Sequence, residues 1–290
     1  MSRPWLSLFL LLAVGGLLGL IGNVAKLAAA SGWPPVALLL WSLLGAGGLL
    51  CLLALLRGEA PSLRRPYLRY YLVSGLVSIS LPNALLFSAI PHVGAGFASL
   101  CLAFPPLLTY VLALRMEGLQ RLRLLGILIG LAGSLILALG KLGSGDSPLL
   151  WVLATLVMPV FLAIGNVYRS RHWPEGARPL QLAPGMLLAG ALLLLPLGLF
   201  GVELRPAWEQ AAGAWWLAAE VALFAGMYAL YFVLQKVAGA VYLSQIGSVT
   251  AITGAAVAIF LLGEQGSASM LLAALCTTVG VTLVALRPAR

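Results

Sequence analysis

The chain has 290 residues, of which 62% are Ala, Val, Ile, Leu, Met, Phe, Trp, Tyr or Cys and only 9% are charged, with a mean hydropathy of +1.06. An ordinary soluble domain carries roughly 25% charged residues, and this sequence has too few polar side chains to cover a soluble surface. A soluble enzyme, a disordered chain and a secreted disulfide scaffold are thereby excluded, and an integral membrane protein is left. The net charge of +9 is read as a topological signal rather than as a nucleic-acid signal, because lysines and arginines on short loops set membrane orientation.

In chain order, apolar runs separated by Pro, Gly and charge clusters predict spans at about 5–29, 34–56, 67–90, 93–115, 121–140, 149–171, 180–200, 211–236, 240–262 and 268–286. Each holds the ~20 apolar residues that a helix needs to cross a bilayer, and backbone facing lipid must be helical. Runs such as Leu187-Leu188-Ala189-Gly190-Ala191-Leu192 do not alternate as barrel strands do. The first run, from Trp5 to Ala30, exceeds the 7–15 apolar residues of a signal-peptide core, so it reads as a retained first helix. Cys51, Cys101 and Cys276 sit inside apolar runs as packing residues, and His92 and His172 are too far apart for a metal site, so no metal or cofactor is expected.

With a cytoplasmic N-terminus, the inside segments collect Arg3, Arg57, Arg64, Arg65, Arg69, Arg115, Arg121, Arg123, Arg169, Arg171, Arg178, Lys236, Arg287 and Arg290. The outside keeps Lys26, Lys141 and Arg205 out of 17 basic residues. This bias predicts both termini cytoplasmic and an even number of spans.

The chain also repeats itself. Ile21-Gly22-Asn23-Val24-Ala25-Lys26 recurs as Ile164-Gly165-Asn166-Val167-Tyr168-Arg169. Tyr70-Tyr71-Leu72 then aligns with Trp215-Trp216-Leu217, Ala84-Leu85 with Ala229-Leu230, Gly94-Ala95 with Gly239-Ala240, and Glu117 with Glu264. The matches stay in order, and five spans per copy is odd, so the halves must cross the membrane in opposite senses. The expected fold is an all-α integral membrane protein: ten transmembrane helices as a 5+5 inverted-topology repeat, with residues 1–145 and 146–290 as the two halves. Secondary transporters use that architecture to exchange two mirror-related states.

These doubled motifs carry a family resemblance over essentially the whole chain. Gly22-Asn23…Lys26, Ala84-Leu85 through Pro105-Pro106 to Glu117, and Ala229-Leu230 through Leu262-Gly263-Glu264 resemble the ten-helix EamA-type exporters of the drug/metabolite transporter superfamily. Met116-Glu117 stands where the family has Gly-Glu, and Ser248-Val249 where its ninth helix carries a proline. Within that family the chain is similar to bacterial inner-membrane amino-acid exporters, including those for aromatic amino acids. The resemblance implies a multi-pass protein of the inner membrane that exports a small molecule.

Polar residues deep in a span are costly and face the bundle interior. The candidates for a midplane cavity are Asn23 and Asn166, Ser78, Ser80 and Asn83 around Pro82, Phe104 before Pro105-Pro106, Tyr228 and Tyr231 on one helix face, and Ser244 and Ser248. For Asn23 and Asn166 a helix–helix hydrogen bond is an equal alternative. Glu220 is the one acid clearly inside a span and a candidate for coupling, although its shallow depth also suits a wet structural role. Lys26 and Arg169 either close their helix C-termini or contact a substrate carboxylate as part of a gate, while Glu117 and Glu264 are expected to cap the helices that follow them. Small-residue stripes, Gly126-Gly130-Ser134 and Ala274-Thr278-Thr282, allow close packing of the fifth and tenth spans on the bundle or, in a homodimer, on a second protomer. Besides amino-acid export, the sequence leaves a multidrug or lipophilic-cation exporter open. An intramembrane enzyme would need a nucleophile–base pair or metal ligands, and these spans offer neither arrangement.

Overall fold

The computed structural model describes residues 4–285 except 118–120, 144, 146–147, 210–211 and 244–245, and every regular element among them is helical. The helices are α1 (Pro4–Ala30), α2 (Pro35–Leu56), α3 (Arg65–Gly75), a π-helical turn (Leu76–Ser80), α4 (Leu81–Val93), α5 (Ala95–Cys101), α6 (Pro105–Glu117), α7 (Arg121–Gly143), α8 (Leu149–Arg171), α9 (Pro179–Leu194) with a 3₁₀ extension (Leu195–Phe200), α10 (Gly213–Leu243), α11 (Ile246–Phe260) and α12 (Ala268–Ala285). Among the described residues, seven helical segments are long and apolar enough to cross a membrane, with α3, the π turn and α4 forming one of them, and three shorter apolar helical stretches accompany them.

The outer surface confirms the nature of the solvent. Leu128, Leu131, Leu135 and Leu139 of α7 are each about half exposed, whereas Ser42, Ser74, Ser78, Thr250 and Glu220 are buried. Apolar outside and polar inside is the arrangement that lipid demands.

Several boundaries differ from the sequence expectation. The span predicted at 93–115 is broken into α5 and α6. Pro105 and Pro106 have no N–H to offer the carbonyls of Cys101 and Leu102. The chain turns there through Leu102 N–H to Ser99 O (3.1 Å), Ala103 N–H to Leu100 O (3.1 Å) and Phe104 N–H to Cys101 O (3.2 Å). The eighth and ninth spans divide later than predicted, because Gly239-Ala240 stays helical and α10 continues to Leu243. In the seventh, α9 gives way to 3₁₀ geometry at Leu195, where Pro196 removes a donor.

Helices from residues 1–145 pack closely on helices from residues 146–290. α1 lies along α10 and α11, α8 along α4 and α6, α2 on α9, and α7 on α12. Glycines set the closest approaches. A Cβ on Gly19 would lie 2.8 Å from Gly254 N, one on Gly75 3.0 Å from Gly190 N, and one on Gly280 2.6 Å from Gly126 O. The Gly126–Gly130 face that could have met a second protomer is thus occupied by α12 of the same chain. Of the rest, Thr278 and Thr282 are exposed and Ser134 and Ala274 half-buried, and Ser134, Thr278 and Thr282 donate to carbonyls of their own helices.

Candidate functional site

Two cavities lie along the bundle interior. The larger, about 1180 Å³, is a vestibule at the end where α1 finishes, lined by Lys26, Trp33, His92, Lys141, Trp151 and Glu264 among others. The smaller, about 100 Å³, is a chamber between α8, α10, the π turn and the α5–α6 break. Leu18 lines the chamber and Lys26 the vestibule, so the two are offset by eight residues, or about 12 Å along α1.

The chamber is built from local irregularities. Pro82 cannot donate to the carbonyl of Ser78, and the helix widens into a π turn, a distortion common at functional sites. Ser78, Pro82 and Asn83 consequently line the chamber from one side, and Leu102, Pro105 and Pro106 line it from the break. Asn83 donates to Ile79 O at 2.8 Å, whereas Ser78 Oγ is buried with no partner among the described residues. α8 supplies Met158, Leu162, Asn166 and Arg169, and α10 supplies Met227, Tyr228 and Tyr231. Arg169 is only 5% exposed. Its Nη2 donates to Asn166 Oδ1 and to Tyr231 Oη, both at 2.6 Å. Tyr228 stacks parallel to Phe224 and tilts against Tyr231, giving the chamber an aromatic wall.

Of the residues expected at a cavity, the structure gathers Ser78, Asn83, Asn166, Tyr228 and Tyr231 in this chamber, with Arg169 among them. Ser244 and the side chain of Glu117 lie outside the described residues. Four others do something else. Asn23 Nδ2 donates to Gly19 O (2.9 Å) and across to Gly254 O (3.0 Å), tying α1 to α11. Ser80 Oγ donates to Gly190 O (2.7 Å) and Gly75 O (3.0 Å), tying the π turn to α9 rather than facing the chamber. Phe104 is buried at the α5–α6 break, and Ser248 is half-buried on α11; neither lines the chamber. Ser80→Ala is expected to cost about 0.6 kcal/mol, the average for an interhelical side-chain hydrogen bond, and Asn23→Ala more because one amide serves two carbonyls. Apparent melting temperatures in detergent measure both.

The surroundings of Glu220 do not suit the wet structural role that its position also allowed. The residue is fully buried, and neither carboxyl oxygen has a partner among the described residues. Eight residues, about 12 Å, separate it from Tyr228 along α10. Glu264 also departs from expectation. It caps not the following helix but α5, far earlier in the chain. Its Oε1 accepts from Ala95 N–H (2.7 Å) and Lys26 Nζ (2.7 Å), and its Oε2 from Gly96 N–H (2.9 Å). Gly94, with φ +85°, leaves room for this carboxylate, since a Cβ there would lie 3.0 Å from Oε2. Lys26 therefore contacts an acid 238 residues away in sequence at the vestibule. The doubling of Lys26/Arg169, Gly94-Ala95/Gly239-Ala240 and Glu117/Glu264 in the sequence was the available signal for this cluster.

Residues 5–139 match the EamA-like transporter family. An inner-membrane transporter of Escherichia coli, YedA, itself described as uncharacterised, is 32% identical over 179 residues in each of three strains. That alignment covers 59% of this chain and 56% of the relative, so the chain spans little more than half the length of the curated relatives it matches. A solved crystal structure superposes with a TM-score of 0.66 over 97% of this chain and 96% of the other, at 19% identity, which is a likeness of fold.

Proposed function

We infer that this chain is a multi-pass inner-membrane transporter of the EamA-like family, exporting small organic metabolites by alternating access. Amino acids with apolar or aromatic side chains are the leading substrate class. The reading takes residues 1–145 and 146–290 as inverted repeats of five spans each, ten in all, with both termini cytoplasmic. Family match, relatives, charge bias and the paired packing of the halves all support it.

The observation that carries the mechanism is the unequal state of two equivalent asparagines. Asn23 is bonded to α11 where α1 and α11 touch through Gly19 and Gly254, whereas Asn166 lines an opening between α8 and the α5–α6 break. In an inverted repeat, one copy closed and the other open describes one access state, and exchanging them describes the opposite state. Lys26 with Glu264 stands at the vestibule as a gate contact, and Glu220 is the candidate for proton coupling.

A lipophilic-cation exporter is the second reading. The chamber disfavours it, because its one charged lining residue among those described is the cation Arg169. Purified protein in liposomes is expected to exchange radiolabelled amino acids, with Glu220→Gln slowing the exchange and removing any substrate-driven pH change. Exchange of tetraphenylphosphonium with none for any amino acid would replace the first reading by the second. An unchanged rate and pH response in Glu220→Gln would take that residue out of the mechanism.

A further inference from the structure

We propose that Arg169 is the anion-recognition head of the chamber and selects substrates bearing a carboxylate attached to a small, flat or apolar body. The proposal rests on the transporter reading and deepens it by naming the substrate chemistry.

A guanidinium has five N–H donors and no acceptor, and burying its charge without an anion costs several kcal/mol. Arg169 is 95% buried, by its 5% exposure, and its two hydrogen-bond acceptors, Asn166 Oδ1 and Tyr231 Oη, are neutral. Both approach the same nitrogen, Nη2, while Nε is buried without a partner. No Asp or Glu lines the chamber among the described residues, and the oxygens of Glu220, the buried acid of α10, accept no hydrogen bond from Arg169. The protein holds the guanidinium in one orientation, through Asn166 one turn back on α8 and Tyr231 on α10, whose ring lies 5.4 Å from Arg169 Cζ, and among the described residues no anionic side chain meets its charge within the chamber.

An Arg fork fits a carboxylate with two parallel N–H···O bonds, and those bonds are about twice as strong as neutral ones. The remaining walls define the rest of the ligand. Leu86, Leu162, Met158, Met227 and Tyr228 are apolar or aromatic, and Ser78 Oγ, the second unpartnered buried polar atom of the chamber, offers one hydroxyl. The volume of about 100 Å³ lies well below the 300–1,000 Å³ of pockets for drug-sized ligands. A compact organic acid or amino acid matches this set. A bulky cation meets like charge at its polar end.

Four probes of one shape separate the terms: 3-phenylpropionate (anion), phenylalanine (zwitterion), 2-phenylethylamine (cation) and 2-phenylethanol (neutral). Equilibrium binding to the full chain in nanodiscs is expected to favour 3-phenylpropionate and phenylalanine over 2-phenylethylamine by about tenfold or more. Arg169→Gln is expected to abolish that preference and leave 2-phenylethanol binding unchanged. Arg169→Lys, which keeps the charge but loses the fork, is expected to retain part of it, and an unchanged melting profile for either variant shows that the fold survived. Equal binding of anion and cation by the parent chain, or an undiminished preference in Arg169→Gln, would overturn the proposal. So would displacement of the bound acid by chloride or sulfate as readily as by the unlabelled acid, which would assign the site to an inorganic anion. Transport of 3-phenylpropionate and 2-phenylethylamine by Arg169→Gln in the same ratio as by the parent chain would leave the transporter reading standing and this one fallen. Binding as expected with no transport of any probe would do the reverse.

Discussion

Glu264→Ala is expected to lower the stability of the folded chain by about 2–4 kcal/mol, more than any other single side-chain truncation considered. The carboxylate accepts from two backbone N–H groups of α5 and from the Lys26 ammonium, at 2.7–2.9 Å, and its side chain is only 13% exposed. α5 has seven residues, too few to hold its own helical turns without help from its surroundings. Ala95 and Gly96, which carry the capped amides, are buried, and both amides use this carboxylate as their acceptor. Alanine would strand both amides and the ammonium together. Lys26→Ala removes only the third bond, from a side chain 31% exposed, and is expected to cost under about 1 kcal/mol. Glu264→Gln should fall between, since its amide oxygen still accepts from one N–H while its NH₂ opposes the other. Thermal unfolding of the three variants in one detergent tests the order. A Lys26→Ala loss as large as that of Glu264→Ala would show that the ion pair, rather than the cap on α5, holds this end together.

The second large effect is expected at Gly254. A Cβ there would lie 3.2 Å from Gly19 O and closer still to the Ser99 side chain, and the reciprocal Cβ on Gly19 would lie 2.8 Å from Gly254 N. The helices meet backbone to backbone, as small residues permit in a membrane. Leucine at 254 meets the Ser99 side chain, Cβ included, as well as the main chain of α1 at Gly19, so a rotamer change of Ser99 does not make room for it. Separating α1 from α11 would also break Asn23 Nδ2 to Gly254 O (3.0 Å) and Thr250 Oγ1 to Gly15 O (3.2 Å). Overpacking of a close-packed interior costs about 1–3 kcal/mol, and the lost hydrogen bonds add to it at about 0.6 kcal/mol each. Gly254→Leu is therefore expected to reduce the melting temperature clearly and to abolish amino-acid exchange, with Gly254→Ala milder on both measures. Because α1–α11 is the closed contact in the proposed cycle, a leucine variant that still folds should be altered in exchange more than in binding. Exchange at the parent rate would show that this contact need not form during transport.

How far the sequence reached can be judged residue by residue. Arg169, Asn166 and Tyr231 could be placed near one another's depth, since Asn166 and Arg169 are three apart on one helix face and Tyr231 lies toward the same end of its own span. Pro82 and Pro105-Pro106 marked where helices would yield, and the structure has a π turn at one and a break at the other. The same reasoning failed for Ser80 and Glu264. Ser80 has the depth and polarity of a cavity residue, and only the neighbour it meets, Gly190 of α9, makes it a packing contact. Glu264 follows a turn, as a cap for the next helix should, yet its partners lie 168 and more residues away.

By itself the sequence determined the solvent and marked the helices, since composition requires a membrane and the apolar runs locate the spans, and its doubled motifs and uneven basic residues set an expectation of two opposed halves. Those are local or cumulative properties, read from each stretch without knowing its neighbours. Which helix faces which was decided only in the tertiary structure. Lipid tails are as apolar as leucine, so a hydrophobic pattern does not distinguish a face turned to lipid from a face turned to another helix. The choice falls instead to close backbone approach at glycines such as Gly19 and Gly254 and to a few long-range hydrogen bonds. These contacts put the charge of Arg169 inside a chamber that no acid lines among the described residues, and left Asn23 and Asn166, alike in sequence, in unlike surroundings.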